Sequence, residues 1–135
     1  MGDGGGLAVG SGADVVLEGV TFEDCLADRG GDLFATDATL TLADLVSTGA
    51  RARQGGALWT EGGAVTLTDA LLSRSAGAES GGGWWAHDVA LDVVGLRSES
   101  ASSPSGAAAL WLEDTTGSMA TVSVSGATSS ADFFG

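Results

Sequence analysis

The stretch Gly55-Gly56-Ala57-Leu58-Trp59-Thr60-Glu61-Gly62-Gly63-Ala64-Val65-Thr66-Leu67-Thr68-Asp69-Ala70-Leu71-Leu72 decides the fold. It opens on a glycine pair, enters an apolar pair, and then alternates apolar with polar residues. Alternation at period two marks a half-buried strand, and no helical period runs through it. The opening recurs as Gly4-Gly5-Gly6-Leu7-Ala8, Gly30-Gly31-Asp32-Leu33-Phe34 and Gly81-Gly82-Gly83-Trp84-Trp85, with a degenerate copy at Ala107-Ala108-Ala109-Leu110-Trp111. Successive copies start 26, 25, 26 and 26 residues apart.

A second alternation follows each opening: Val15-Val16-Leu17, Leu40-Thr41-Leu42, Val65-Thr66-Leu67 and Val89-Ala90-Leu91. A third comes next: Val20-Thr21-Phe22, Leu45-Val46-Ser47, Ala70-Leu71-Leu72 and Val94-Gly95-Leu96. A unit of this size cannot bury its own inner face. Stacking units at ~4.8 Å closes the core and pairs the backbone. The expected fold is all-β, a right-handed parallel β-helix of about five coils near 4–29, 30–54, 55–80, 81–106 and 107–135, forming a single domain over 1–135 with three strands per coil. Leu7, Leu33, Leu58, Trp84 and Leu110 form one inner stack, and Leu17, Leu42, Leu67 and Leu91 a second. Phe22, Leu72 and Leu96 form a third, interrupted by Ser47. A leucine-rich repeat would need a shorter period and a fixed Asn or Cys among its leucines, and has neither here.

Composition narrows the partners. The chain has 135 residues, 23 of them Gly, and a formal net charge of −13. Its cations are Arg29, Arg51, Arg53, Arg74 and Arg97, with no Lys. Nucleic acid and anionic membranes both require a basic footprint, so neither is an expected partner. No run is long and apolar enough for a membrane span. The acidic balance is that of a solvated surface, and it also suits divalent cations. Cys25 is the only cysteine, which rules out an internal disulfide. Met1 is followed by Gly2-Asp3-Gly4-Gly5-Gly6, with no basic or apolar leader, as expected of a chain that stays inside the cell or of a mature or excised piece.

Gly55-Gly56-Ala57-Leu58 resembles the GGA[ILV] element of bacterial polymorphic outer-membrane protein repeats. Phe22-Glu23-Asp24-Cys25 resembles their FxxN element, with Cys in place of Asn, while Leu72-Ser73-Arg74-Ser75 and Leu96-Arg97-Ser98-Glu99 keep only the apolar position. The resemblance implies a pectin lyase-like β-helix of a bacterial surface or secreted protein, extracellular in location. The missing Asn removes the side-chain amide ladder that such repeats form. In the fifth coil, Thr115 to Thr121 reads as an extended loop or bulge, and Phe133-Phe134 as a pair folding back over the last coil. Neither end shows a polar cap, so the expectation is a piece of a longer solenoid or end-to-end self-association.

Stacking turns the repeat into columns. Ala8, Phe34, Trp59, Trp85 and Trp111 share one, Gly10, Thr36, Glu61, His87 and Glu113 the next, and Ser11, Asp37, Gly62, Asp88 and Asp114 a third. Glu61, His87 and Glu113 do not belong in an apolar core, and residues two apart share a face, so the aromatics point outward. An aromatic stripe beside an acidic rim is a candidate contact for a glycan or a protein partner, through Phe34, Trp59, Trp85, Trp111, Glu61, His87, Asp88 and Glu113. The alternative is that the rings stack on one another or turn inward. Asp37, Glu61, Asp88, Glu113 and Asp114 are candidate Ca²⁺ ligands, since carboxylates suit that ion. Otherwise no cofactor is expected.

A non-enzymatic structural or adhesive module is the expected class, with a polysaccharide-active lyase or hydrolase, or its truncated scaffold, as the alternative. His87-Asp88 with Glu61, Glu113 and Asp114 could supply acid and base groups. Against that stand the absence of Lys, the placing of all five Arg in or near closing turns, and a sole His read as an exposed turn residue. Threonine rows of the kind that bind ice are broken, because Thr41 and Thr66 align with Val16 and Ala90, and Thr68 with Glu18, Ala43 and Asp92.

Overall fold

A computed structural model describes residues 5–80, 82–103 and 109–129. The described residues are all-β, and none of them forms a helix long and apolar enough to cross a membrane. The first circuit contains β1 (Leu7–Val9), β2 (Asp14–Glu18) and β3 (Thr21–Glu23). The second has β4 (Leu33–Thr48) and β5 (Arg51–Gln54), and the third β6 (Leu58–Ser73) and β7 (Ala76–Ser80). The fourth has β8 (Trp84–His87), β9 (Ala90–Glu99) and β10 (Ser102–Ser103). The last has β11 (Leu110–Glu113), β12 (Thr116–Ala120), β13 (Ser123–Ser125) and β14 (Thr128–Ser129). Every strand pairs in parallel with its counterpart one circuit away, in the order β1-β4-β6-β8-β11 along the first side. This is a parallel β-helix of about four turns. The repeat starts suggested five coils, but five rungs on one side are separated by only four circuits.

Four sides, rather than three, make up each circuit. β4 bends at Asp37 (φ 47°) and Asp44 (φ 52°), Gly49 (φ 73°) turns it into β5, and Gly55 (φ 59°) closes the loop. β5, β7, β10 and β14 form a separate sheet, the side that the sequence pattern missed. Its inner position is filled by small residues such as Ala52 between exposed Arg51 and Arg53, so it lacks the strong apolar alternation of the other sides. The corners are themselves stacked. Asp37, Gly62, Asp88 and Asp114 form one left-handed column, and Gly19, Asp44, Asp69, Gly95 and Thr121 another. Asp and Gly are among the few residues that enter this region at low cost. At Gly62 and Gly95 the aspartate of the preceding rung leans over the corner, and a Cβ there would strike its carboxylate. The glycine pairs divide their work. Gly30 and Gly55 take positive φ, while a Cβ on Gly31 or Gly56 would strike the next rung's carbonyl oxygen.

The inner stack of Leu7, Leu33, Leu58, Trp84 and Leu110 pairs as expected. The other two stacks are displaced in the fourth circuit. Leu17, Leu42 and Leu67 continue into Val93 and Met119, whereas Leu91 stacks on Val65 and Leu40. Phe22, Ser47 and Leu72 continue into Ser98, whereas Leu96 follows Leu45 and Ala70. The displacement is two residues. Because the pleat has period two, a two-residue slip leaves every side chain on its proper face and is silent in the pattern. The same slip made the fifth coil look lengthened. In fact β12 pairs with β9 from Thr116↔Ala90 to Ala120↔Val94 with no insertion, so the expected loop is a strand. Thr41 and Thr66 lie between Val16 and Asp92, and Thr68 between Ala43 and Val94, so the threonine row is broken in the true register too. Phe133-Phe134 lie outside the described residues.

Leu33, Leu40, Leu42, Leu45, Leu58, Leu67, Leu72 and Trp84 are fully buried in one continuous core. Asp32 is buried with them, and neither carboxylate oxygen makes a hydrogen bond. Burial raises its pKa from 3.8 to about 6, partly offset by nearby Ser47 and Cys25. Cys25, half-buried and free, has its own pKa raised by burial and then by Asp32.

Two outcomes are expected. Leu42→Asp or Leu67→Asp should abolish cooperative thermal melting, since a charge in either stack finds no partner. Asp32 acts in the opposite sense to a paired surface carboxylate. Its folded-state pKa is raised, so the stability linked to it is full below its ordinary value and is lost as pH rises through about 6. The loss amounts to about 3 kcal/mol, at ~1.4 kcal/mol per pKa unit. Denaturant melts on both sides of that window should show wild type gaining more from acidification than Asp32→Asn, with the surface carboxylates common to both.

Candidate functional site

The first side of the solenoid carries the outward columns. On β4, β6, β8 and β11 the inward residues are Leu33, Leu58, Trp84 and Leu110, so the pleat sends Phe34, Trp59, Trp85 and Trp111 to the other face. Two residues on stand Thr36, Glu61, His87 and Glu113, in register, and the corner follows with Asp37, Gly62, Asp88 and Asp114.

The aromatic column is a ladder stacked along the solenoid axis. Phe34 and Trp59 have ring centroids 4.7 Å apart at 17°, and Trp59 and Trp85 stand 4.7 Å apart at 4°. The Arg29 guanidinium lies 4.7 Å from the centroids of both Phe34 and Trp59, in cation–π range. The expectation had placed Arg29 in a closing turn and left it no part in these columns. Trp59 is consequently only 3% exposed although it points away from the core. Among the described residues the stacking stops at Trp85. Trp111, next in register, turns its Nε1–H toward Glu113 Oε2 at 3.3 Å. Trp85 and Trp111 are half-buried, and the other neighbour of Trp85 is His87, tilted by 40° at 5.9 Å.

His87 ends strand β8 rather than sitting free in a turn, and its side chain is 26% exposed. Four carboxylates surround it. Nδ1 faces Glu61 Oε2 at 3.4 Å and Asp88 Oδ2 at 3.7 Å, and Nε2 faces Asp114 Oδ2 at 3.5 Å and Glu113 Oε1 at 3.9 Å. Burial acts to lower its pKa, but Asp88, Glu61 and Glu113 outweigh it and raise the value above 6.5. The structure therefore brings Glu61, His87, Asp88, Glu113 and Asp114 together. Asp37 stands apart, since it shares the Asp88 corner column but lies two rungs below with Gly62 between, roughly 10 Å along the axis.

A second surface escaped sequence reasoning. Asp44 and Asp69, stacked at their corner, line a groove of about 450 Å³ together with Leu71, Leu96 and Arg97. Arg97 lies within β9, paired to Leu71, and not in a closing turn. The 25-residue spacing of Asp44 and Asp69 was the available signal. That signal is faint, because corner residues interrupt the apolar alternation that marks the strands.

The two central tryptophans offer a test of this geometry. Trp84 is in the core and donates Nε1–H to Thr60 Oγ1 at 3.0 Å, whereas the Trp59 Nε1 has no partner. Trp84→Phe should cost more than ~2 kcal/mol through lost volume and an orphaned hydroxyl, and Trp59→Phe less than ~1 kcal/mol because the ring still stacks. Chemical denaturation of the two variants checks the order. Comparison with protein families, curated proteins and solved structures yields no match to this chain, so the likeness to polymorphic outer-membrane repeats rests on its short motifs alone.

Proposed function

We propose that the chain is a non-enzymatic, adhesive β-helix module of a bacterial surface or secreted protein that holds a neutral glycan at the Trp85–Trp111 step. The observation that carries this is the break in the ladder. Trp59, stacked on Phe34 and on Trp85 with Arg29 beside it, has no ring face left for a sugar, and Arg29 also lies against Phe34. Trp85 and Trp111 retain half-exposed ring surface one rung apart. Glu61 and Glu113 beside them are acceptors for sugar hydroxyls, and their charge disfavours uronic acids. Placement at the cell surface is supported by the GGA[ILV]-like and FxxN-like elements.

A glycan array probed with labelled wild-type chain should give neutral-sugar signals that vanish in Trp85→Ala/Trp111→Ala and persist in Trp59→Phe. Absence of wild-type signal, or signals untouched by the double variant, would overturn the proposal. The groove of Asp44, Asp69 and Arg97 favours a second reading, a polysaccharide-cleaving enzyme, because two carboxylates one rung apart can act as acid and base. Release of reducing ends from a polysaccharide, lost in Asp44→Asn and Asp69→Asn, would establish that reading instead.

A further inference from the structure

We infer that the fourth side of the solenoid holds a site for a small amphipathic carboxylic acid, with its carboxylate at Arg51 and Arg74 and its apolar body across Leu26 toward Ala76. Two grooves meet there. Asp24, Cys25, Gly49 and Arg74 line one of about 420 Å³, and Ala76, Ala78 and Arg53 line one of about 510 Å³. Leu26 and Arg51 belong to both. Small-ligand sites have volumes of this order and combine an apolar lining with a few polar groups that fix orientation. Register places the shared residues. Leu26, Arg51, Ala76, Ser102 and Thr128 form one column. Ala52, next to Arg51, is buried, so the pleat turns that column outward. Leu26 is 52% exposed, an apolar shelf beside the two guanidinium groups.

Charge decides what the grooves take. Arg53, at the far end, is engaged by Asp28 at 3.8 Å and by Glu79 at 3.3 Å. Arg51 and Arg74 are exposed and make no ion pair among the described residues. Asp24 shares their groove, with Oδ1 resting over Gly49, and balances at most one of the two. One positive charge is left over, on a chain whose net charge is −13. A polyanion would reach past it onto neighbouring acids such as Asp28 and Glu79. A single carboxylate meets only the local pair, because exposed charges beyond ~8 Å are screened at physiological salt. The guanidinium fork matches the two carboxylate oxygens. A second observation singles out Arg74. Its φ is 55°, and every other non-glycine residue with positive φ among the described residues is Asp, Ser or Thr. Its own corner column runs Asp24, Gly49, Arg74, Ser100 and Gly126. An arginine stands there against backbone preference, as residues that clamp a ligand do.

Octanoate, added to the full chain at physiological salt, is the probe. In nitrogen–proton correlation spectra it should give saturable shifts at Leu26, Arg51, Arg74 and Ala76. Acetate, which lacks the apolar body, and octyltrimethylammonium, which reverses the charge, should give none. Octanol should bind at least ~10-fold more weakly, for want of the charge-assisted bonds. Arg51→Gln and Arg74→Gly should each weaken octanoate at least ~10-fold, and Leu26→Asn at least ~5-fold. Arg97→Gln, which removes an exposed arginine from the groove of Asp44 and Asp69, should bind as wild type does. Arg74→Gly should also melt no lower than wild type, because glycine takes positive φ without strain, and this separates lost binding from lost folding. Shifts that fail to saturate or that spread over the other sides would overturn the site. So would affinity that survives Arg51→Gln or Arg74→Gly, octanol binding as tightly as octanoate, or a lower melting temperature in Arg74→Gly. Acetyl-leucyl-leucine presents the same carboxylate on a peptide, and tighter binding than octanoate would overturn the small-acid assignment in favour of a protein chain terminus. The glycan reading stands or falls separately, because Trp85→Ala/Trp111→Ala leaves the fourth side intact.

Discussion

Each circuit of the chain must return to the same corner one strand spacing higher, and the rest of the structure depends on that closure. Backbone pairing in a parallel solenoid is available only if successive rungs have nearly the same length and turn at the same places. The corners meet this demand with residues in the left-handed region: Asp37, Asp44, Asp69, Asp88 and Asp114 alongside Gly19, Gly49, Gly55 and Gly62. For a side chain with a Cβ that region is costly, and aspartate is among the residues that bear it best. Much of the acidic composition is therefore architectural. The charge of −13 follows in part from a fold that needs an aspartate or glycine wherever a side ends. At Gly62 and Gly95 the glycine has a steric cause, since the aspartate leaning over from the preceding rung leaves room there only for hydrogen, whereas Asp69 and Asp114 follow an aspartate directly.

Closure also explains which features were legible in the sequence. The glycine pairs were visible because they combine two constraints, a positive φ and a rung contact too close for a Cβ, at a constant interval. The stack of Leu33, Leu58, Trp84 and Leu110 followed from them and is correct. In the fourth circuit Asp88 holds the corner, as Asp37 does in the second, and the apolar run Val89-Ala90-Leu91 begins two residues before Leu91-Asp92-Val93, the stretch that pairs with Val65-Thr66-Leu67. A period-two pattern contains no information against such a slip; only the corner residue does. The fourth side was invisible for a related reason, because its inner positions are alanine, glycine and serine, whose burial leaves little mark on a hydrophobicity pattern.

The candidate site was legible in its columns but not in its contacts. Parity was enough to send Trp59 and His87 outward, because one polar residue two positions away fixes the face. It could not show that Arg29, just before the glycine turn that leads into Phe34, would lie over Phe34 and Trp59, or that the ladder would stop at Trp85. Those outcomes depend on rotamers, and in a solenoid the rotamer of one rung is set by the ring above and below it. Outward and exposed are thus different properties. Trp59 is outward and nearly as buried as Trp84, and it gains its burial from other outward residues rather than from the core.

The same distinction separates the ladder from the histidine column two residues on. Aromatic rings of like kind can satisfy one another at the rung spacing, since ~4.8 Å is close to a stacking distance. Carboxylates cannot. A column or corner that repeats acids at that interval accumulates repulsion that neither pleat nor register relieves, and a single imidazole set among four carboxylates compensates at most one charge. Glu61, Asp88, Glu113 and Asp114 are held at that spacing by backbone pairing whatever their charge. Their side chains can turn toward solvent, but the ring of His87, ending its strand with Trp85 against it, has less freedom. Geometry set by the scaffold thus leaves four carboxylates around one imidazole in this corner, and because all four are exposed, water screens the surplus charge that the ring does not balance.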